Sequence, residues 1–452
     1  MLPDRRDTIA ALATARGRAG VAIVRLSGPD ALAIGRKFFR PHTPAHTPPP
    51  RQMVLGTVLD GEKQPLDEAL FVYFPAKSSY TAEPVVEFHL HGSPVVVETL
   101  LAALTAHGGR IAEPGEYTRR AFLGGRLDLS QAEAVAELIE ARSLAAARAA
   151  RRRLTGALSE RVGRIRDRLT EALALAEAEI DFPDEDIGPL DRREMLAAIA
   201  AADAGVAALL AGHQRARTLA QGAVVALAGR PNAGKSSLFN RLAGARRALV
   251  HETAGTTRDP IEAEVVIEGL PLRLVDTAGL RQTEHDVERA GVAWARETIA
   301  AADLAIYLID GAVGVTADDR QWLAEFAAVP RLVVWNKLDL AAPDASFAGL
   351  GDLAVSAKEG TNGEELRRRL VQLLGADGAD NEALLAAVRH RNLAEKARLN
   401  LAAARDLATA GDKSELAALE LREAAAALGE IIGETTPDQV LDTIFARFCV
   451  GK

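Results

Sequence analysis

A multidomain α/β chain is predicted, with a small α+β domain first, a discontinuous α-helical domain, and a largely parallel α/β domain inserted between the two helical pieces. Three observations predict this. Short apolar runs rich in Val, Ile and Phe alternate with turn residues over roughly the first 120 positions. From about Ser130 the texture turns to Ala, Leu, Glu and Arg at helical spacing. At Gly222, glycine-bounded apolar runs begin to alternate with helical stretches, until the helical texture returns after about Leu374. The boundaries read from these changes are 1–123, 124–217, 218–376 and 377–452. One helical domain in two pieces is the parsimonious architecture, and separate bundles are the alternative.

Taken in order, VAIVRL (21–26), ALFVYF (69–74) and VVEFHL (85–90) are expected strands, punctuated by Gly28-Pro29, Pro48 to Pro50, Gly61 and Gly92. Pro94 to His107 reads as a helix closed by Gly108-Gly109. The stretch 131–154 reads as one long amphipathic helix and 157–179 as another. The loop 181–191 interrupts them, and a further helix runs to about Arg217. Strands are expected at 222–229, LRLVD (272–276), LAIYLID (304–310), RLVVWN (331–336) and LAVSA (353–357).

The composition removes several classes. The 452 residues carry 54 Lys+Arg against 62 Asp+Glu, a net charge of −8, with 48% hydrophobic and 26% charged residues. That is ordinary for a packed protein and excludes collagen-like or wholly disordered chains. The acidic total excludes a general basic coat but not a local basic face. A single cysteine cannot form an internal disulfide. No apolar stretch of signal length follows the charged start, so the expected compartment is the cytoplasm. The most membrane-like window, 195–211, is built on weakly apolar alanine around Asp203, so a bundle helix and no membrane are expected.

Gly229-Arg-Pro-Asn-Ala-Gly-Lys-Ser236 follows an expected strand and opens a helix, matching the phosphate-loop pattern. Asn232, Ala233 and Gly234 would present backbone N–H groups to phosphates, with Lys235 on the β/γ oxygens, Ser236 on Mg²⁺ and Ser237 following. In Thr256-Thr257-Arg258-Asp259, Thr257 offers a second Mg²⁺ hydroxyl. In Asp276-Thr277-Ala278-Gly279, the carboxylate supports Mg²⁺ and a glycine N–H reaches the γ-phosphate. Asn336, Lys337 and Asp339 place a carboxylate to accept from guanine N1 and N2, a donor pair adenine lacks, and Ser356-Ala357-Lys358 would close over O6. GTP is therefore the expected substrate.

The order and spacing resemble Ras-like GTPases of the translation-factor class. Leu280, however, stands where Ras-type enzymes carry the glutamine that orients water. The loop His251-Glu252-Thr253-Ala254-Gly255-Thr256, together with Asn232, resembles the potassium-activated GTPases. That resemblance implies K⁺ held by Asn232 and by His251, Thr253 and Thr256, where an arginine finger would otherwise act. It also implies Glu288, in DVERAG, as the water-positioning catalytic carboxylate beside catalytic Lys235. By residue type alone Glu288 is a solvated helix residue.

GVAIVRLSGP (20–29), VVEFHLHGSP (85–94), PGEYTRRAFLGGRLDLSQAEAVAELI (114–139), DFPDEDI (181–187), GRPNAGKSSLFN (229–240) and the terminal Phe448-Cys449-Val450-Gly451-Lys452 resemble the tRNA modification GTPase family (MnmE/TrmE) along essentially the whole chain. The resemblance implies an N-terminal domain like tetrahydrofolate-binding folds, which also dimerises and binds 5-formyl-tetrahydrofolate or a related one-carbon folate. It implies a homodimer that joins an FAD-dependent MnmG/GidA-type subunit in a heterotetramer. Together they would add an aminomethyl or carboxymethylaminomethyl group to C5 of the wobble uridine of certain tRNAs. Folate residues carried over by motif are Arg25, Glu87, Arg126 and Lys452, a set whose carboxylate suits pterin donors and whose cations suit the glutamate tail. The family often has glycine and an acidic residue ahead of the Glu87 strand, where this chain has Ala82 and Pro84. Cys449 is either a thiol in the tRNA chemistry or a small buried anchor for the tail.

Arg142, Arg148, Arg151, Arg152, Arg153, Arg161, Arg164, Arg166 and Arg168, against Glu160 and Asp167, form either a basic ridge for tRNA phosphates or a face partnered by another helix. His89 and His91 share one face of a strand and, without further ligands, read as structural. Rival functions for the same GTPase motifs are ribosome assembly through rRNA binding and a dynamin-like scaffold.

Overall fold

The computed structural model describes residues 7–43, 48–181, 189–244, 261–277, 294, 296–375, 384–410 and 413–452. It divides into two compact units, Met1–Ala136 with Gly429–Lys452, and Glu137–Leu428.

The first unit is built on a seven-stranded sheet: β1 (Thr8–Leu12), β2 (Ala19–Ser27), β3 (Phe39–Pro41), β4 (Val54–Leu59), β5 (Pro65–Phe74), β6 (Val85–Gly92) and β7 (Gly109–Ile111). Their spatial order is β3-β4-β5-β6-β2-β1-β7. Neighbours run antiparallel except β1 and β7. The period of two sorts each strand. Val24 and Leu26 of β2, Phe71 of β5 and Phe88 of β6 join Ile34 of α1 (Ala31–Lys37) and Leu100 and Leu104 of α2 (Pro94–Ala106) in one core. Arg25 and Glu87 therefore face the opposite side, where Ile9, Ala11 and Tyr117 of α3 (Glu116–Leu123) form a second cluster. Ala82 sits at φ 60°, so the turn where the family often has glycine is made here by alanine in a left-handed conformation.

Residues from Gly429 onward group with this unit, although the helical texture is expected to run from about Leu374 to the C-terminus. The cause is aromatic packing: Phe445, ending the helix Asp438–Phe445, lies against Phe122 (6.5 Å) and Phe448 (5.5 Å). Gly451 then pins the tail at φ 96°, where a Cβ would stand 2.2 Å from the Leu12 carbonyl. No other residue fits there.

The helices after Leu129 are shorter than their periodicity predicts, and the first of them spans the boundary of the two units at Ala136. The stretch 131–154 is not one helix but α4 (Leu129–Glu140) and α5 (Leu144–Leu154). The break comes from Ser143, whose hydroxyl accepts from the Ala146 amide at 3.1 Å and caps α5. Beyond α6 (Ala157–Asp181), the next stretch is likewise two helices, α7 (Pro189–Ala211) and α8 (His213–Gln221), parted at Gly212. By length and composition 192–221 could cross a membrane. Its buried residues nevertheless form one stripe, Met195, Ile199, Ala202, Val206 and Leu209, turned toward α6 and the helix Val388–Ala410, while Asp203 pairs with Arg398 at 2.9 Å. That is the pattern of a bundle helix.

Six strands make the other sheet: β8 (Ala223–Gly229), β9 (Ile261–Ile267), β10 (Leu270–Asp276), β11 (Leu304–Asp310), β12 (Arg331–Asn336) and β13 (Leu353–Ala354), in the order β13-β12-β11-β8-β10-β9. All pairs are parallel except β9 with β10, a hairpin the sequence reading passed over. Every residue of β11 is buried, as expected of a strand covered on both faces. Of LAVSA only two residues are strand, because the chain turns at Val355 toward the site below.

Candidate functional site

The carboxyl ends of β8, β10, β11 and β12 deliver Gly229, Asp276, Asp310 and Asn336 to one edge of the parallel sheet, the place where open α/β sheets bind ligands. After Gly229 the chain loops into α9 (Lys235–Gly244). Asn232 (φ 65°) and Gly234 (φ 92°) are left-handed, the backbone geometry that gathers successive N–H groups into an anion nest. A Cβ on Gly234 would lie 2.2 Å from Asn336 Nδ2, so glycine is required. Lys235 Nζ donates to the carbonyls of Gly229 (2.6 Å) and Arg230 (2.8 Å). Burial holds its pKa below the usual lysine value, against the pull of Asp276. Ser236 Oγ donates to Asp276 Oδ2 at 3.1 Å. A hydroxyl beside a buried carboxylate is a hard oxygen pair that suits Mg²⁺. Thr277 turns away, its hydroxyl donating to Leu227 O at 2.7 Å, and Ser237 is exposed on α9.

At the other end Asn336 bridges two loops: Nδ2 donates to Ala233 O (2.8 Å) and Oδ1 accepts from the Ala357 amide (3.0 Å). Lys337 pairs with buried Asp310 at 2.7 Å. Asp339 accepts from Ser356 Oγ at 2.6 Å, a bond that heads the causes holding its carboxyl below the usual range. Sequence reasoning missed Arg241 of α9, whose guanidinium donates to the carbonyls of Ala357 (2.7 Å) and Lys358 (2.6 Å) and so fastens the base loop to the phosphate-loop helix. Arg241→Ala is expected to weaken guanine-nucleotide binding about tenfold through loss of two charge-assisted bonds, as measured by titration calorimetry. Unchanged affinity would remove that role. His251, Glu252, Thr253, Ala254, Gly255, Thr256, Thr257, Ala278, Gly279 and Glu288 lie outside the described residues.

A second polar cluster occupies the first unit. Arg25 and Glu87 are cross-strand partners on β2 and β6, with Arg25 Nε and Nη2 each 2.7 Å from Glu87 Oε1. His89 Nε2 bonds Glu87 Oε2 at 3.2 Å, so His89 belongs to the cluster, whereas His91 goes to Asp67 at 2.8 Å. Burial raises the Glu87 pKa, but His89 and Arg25 outweigh it and the net shift is downward. The Arg25 guanidinium stands 5.7 Å from the Tyr117 ring and donates to Gly451 O at 3.5 Å, which brings the tail to the cluster. Burial, then Arg25, lowers the pKa of half-buried Lys452. Arg126 is exposed on the turn after α3 and among the described residues bonds none of these groups. Cys449 is exposed, which rules out the buried-anchor reading.

The arginine stretch is not a continuous ridge, since it divides between α5 and α6. Arg153 is buried on Glu137, Arg142 reaches Glu264, and Arg168 pairs with Glu171 at 2.9 Å. Arg148 and Arg151 remain exposed.

Two family models match the chain: the GTP-binding protein TrmE N-terminus over residues 8–126 and the MnmE helical domain over 129–449. A tRNA modification GTPase MnmE from Thiobacillus denitrificans is 43% identical over 100% of this chain and 99% of that protein. One from Azoarcus sp. is 44% identical over 100% and 99%, and one from Aquifex aeolicus 41% over 99% and 100%. Among solved structures, Aquifex aeolicus Era bound to GDP·AlF4⁻ is 25% identical over 39% of this chain and 67% of that chain, with a TM-score of 0.28.

Proposed function

The chain belongs to the tRNA modification GTPase family MnmE, and on that premise we propose that it hydrolyses GTP to drive a modification of tRNA at C5 of the wobble uridine, with a one-carbon folate as donor and an FAD-dependent MnmG/GidA-type subunit as partner. The observation that carries the proposal is the presence, in one chain, of a guanine-nucleotide cradle in one unit and the Arg25–Glu87–His89 cluster with Lys452 in the other.

The residues divide the work by chemistry. Lys235 exchanges its two loop carbonyls for phosphate oxygens, an exchange favoured because a buried ammonium is worth more against an anion than against neutral carbonyls. Ser236 and Asp276 would hold Mg²⁺, which would neutralise the β,γ-oxygens. Asp339 accepts the two guanine N–H donors while Ser356 holds it in place. Potassium at Asn232 and the 251–256 loop, water positioning by Glu288, and G-domain dimerisation belong to the same proposal. Glu87, held by Arg25, would accept from a pterin, and Arg25 and Lys452 would meet folate carboxylates, in a homodimer working in the cytoplasm.

The test is a mass-spectrometric nucleoside profile of tRNA from cells lacking the gene. Loss of C5-modified wobble uridines is expected, restored by the wild-type chain and not by Lys235→Ala. An unchanged profile would leave a GTPase of another pathway, ribosome assembly first.

A further inference from the structure

The outer side of the phosphate loop is held by a group that none of the nucleotide motifs contains. Asp319, on the helix Ala317–Glu325, is 0% exposed and accepts four bonds. Its Oδ2 takes the amide (2.8 Å) and hydroxyl (2.7 Å) of Thr316, which completes a helix-capping box. A capping box needs only that one oxygen. The other, Oδ1, accepts from Tyr307 Oη at 2.9 Å and from Arg230 Nε at 3.1 Å.

Arg230 is the second residue of the phosphate loop. Its Nη2 also reaches Gly314 O at 3.4 Å, so its side chain is tied to both the loop and the helix that follow β11. Its own carbonyl accepts from Lys235 Nζ at 2.8 Å and from the Ala233 amide at 3.3 Å. Tyr307 in turn stacks on Trp322 at 4.3 Å, so the anchor is itself immobilised by packing. A chain of bonds therefore runs from a wholly buried carboxylate through one guanidinium to the backbone against which the phosphate-binding lysine rests. A buried carboxylate with every partner fixed cannot shift to follow the loop; the loop must conform to it.

We propose that Asp319 is a positioning residue for the nucleotide: through Arg230 it sets the shape of the phosphate loop and thereby the residence time of bound guanine nucleotide. The inference rests on residues 229–236 being the phosphate cradle. It also makes the 311–325 segment part of the nucleotide site, so that a partner pressing on that segment alters release without touching the nucleotide.

The experiment uses the full-length chain loaded with a fluorescent GDP, whose release is followed by stopped flow while thermal unfolding is recorded in parallel. The variants are Arg230→Ala, which truncates a side chain already a quarter exposed, Asp319→Asn, which keeps the shape and the cap, and the double variant. Each single change is expected to speed release about tenfold, with the double no faster than the faster single, because both remove one interaction. Arg230→Lys, which keeps the charge, is expected to recover part of the loss. Release within about twofold of wild type in Arg230→Ala, or a double variant equal to the product of the singles, overturns the proposal. A purely structural role would lower the unfolding temperature with no such coupling in release, and that outcome overturns it as well. Lys235→Ala separates the two levels. If it abolishes binding while Arg230→Ala is silent, only the positioning role falls; if it too leaves binding unchanged, the cradle assignment falls with it.

Discussion

Asp339→Asn is expected to exchange the preference for guanine for a preference for xanthine. A carboxylate meets the N1–H and N2–H groups of guanine as an acceptor. Ser356 Oγ already donates to Asp339 Oδ1 at 2.6 Å, and in the variant that hydroxyl would keep the carboxamide oxygen. The amide nitrogen is then left for the base. Facing guanine it sets donor against donor, whereas facing the C2 carbonyl of xanthine it completes a bond. A polar site that leaves such groups unpaired discriminates by on the order of 10⁴. The ratio of kcat/KM for GTP and xanthosine triphosphate should therefore move by a factor of that order, with the fold little changed because Asp339 is only partly buried. Retained preference for GTP would mean that another group reads the base.

Arg120→Ala is expected to carry the largest cost in stability. Arg120 is 7% exposed and ties α3 to the segments just ahead of β1 and β6: its guanidinium meets Asp7 Oδ1 at 2.6 Å, Glu116 Oε1 at 2.9 Å and Glu83 Oε2 at 3.2 Å. Truncation leaves three carboxylates short of counter-charge, of which Glu116 is buried, an effect of ~3–5 kcal/mol. Arg110, at 2.7 Å from Glu116, retains part of the compensation and places the expected cost near the lower end. Amide exchange in β1 and β2 should accelerate accordingly, and exchange at the wild-type rate would show the network to be dispensable.

The same network fixes a pH dependence. Burial raises the pKa of Glu116, but the bonds from Arg110, the Glu113 amide and Arg120 outweigh it, so the folded value lies below the ordinary 4.5. Asp7 is likewise held below 3.8, with Arg110 and Arg120 overcoming its desolvation. A carboxylate whose folded pKa is depressed binds more protons when unfolded. Its contribution is therefore complete above the ordinary value and is lost as pH falls through the lower, folded one. The first unit should unfold in that acid window, and Arg120→Ala should raise the midpoint. An acid midpoint identical in the two proteins would count against the pairing.

Much of this molecule was legible along the chain. Strands β2, β5, β6, β8, β11 and β12 announce themselves because their side chains pack on a pleated sheet, and the glycine spacing of 229–236 is visible because the backbone there needs residues without a Cβ. What escaped was set by capping and by distant contacts. Ser143 splits a uniform Ala- and Arg-rich stretch into two helices through one hydroxyl, which periodicity averages away. The β9 hairpin was marked by the alternation of IEAEVVI ahead of Glu268-Gly269, a signal overlooked beside the stronger apolar runs.

Class, family and nucleotide chemistry were determined by the sequence itself, because ordered local motifs have few other physical uses. Which side chains support them was decided only in three dimensions. Asp319 and Arg230 are 89 residues apart, Arg241 and Ala357 116, and Arg25 and Gly451 426, separations over which no local pattern carries information. The tail from Gly429 follows the second helical piece without a break in helical texture, yet groups with the first unit, because the close approach of Gly451 to Leu12 and the packing of Phe445 exist only once the chain has folded.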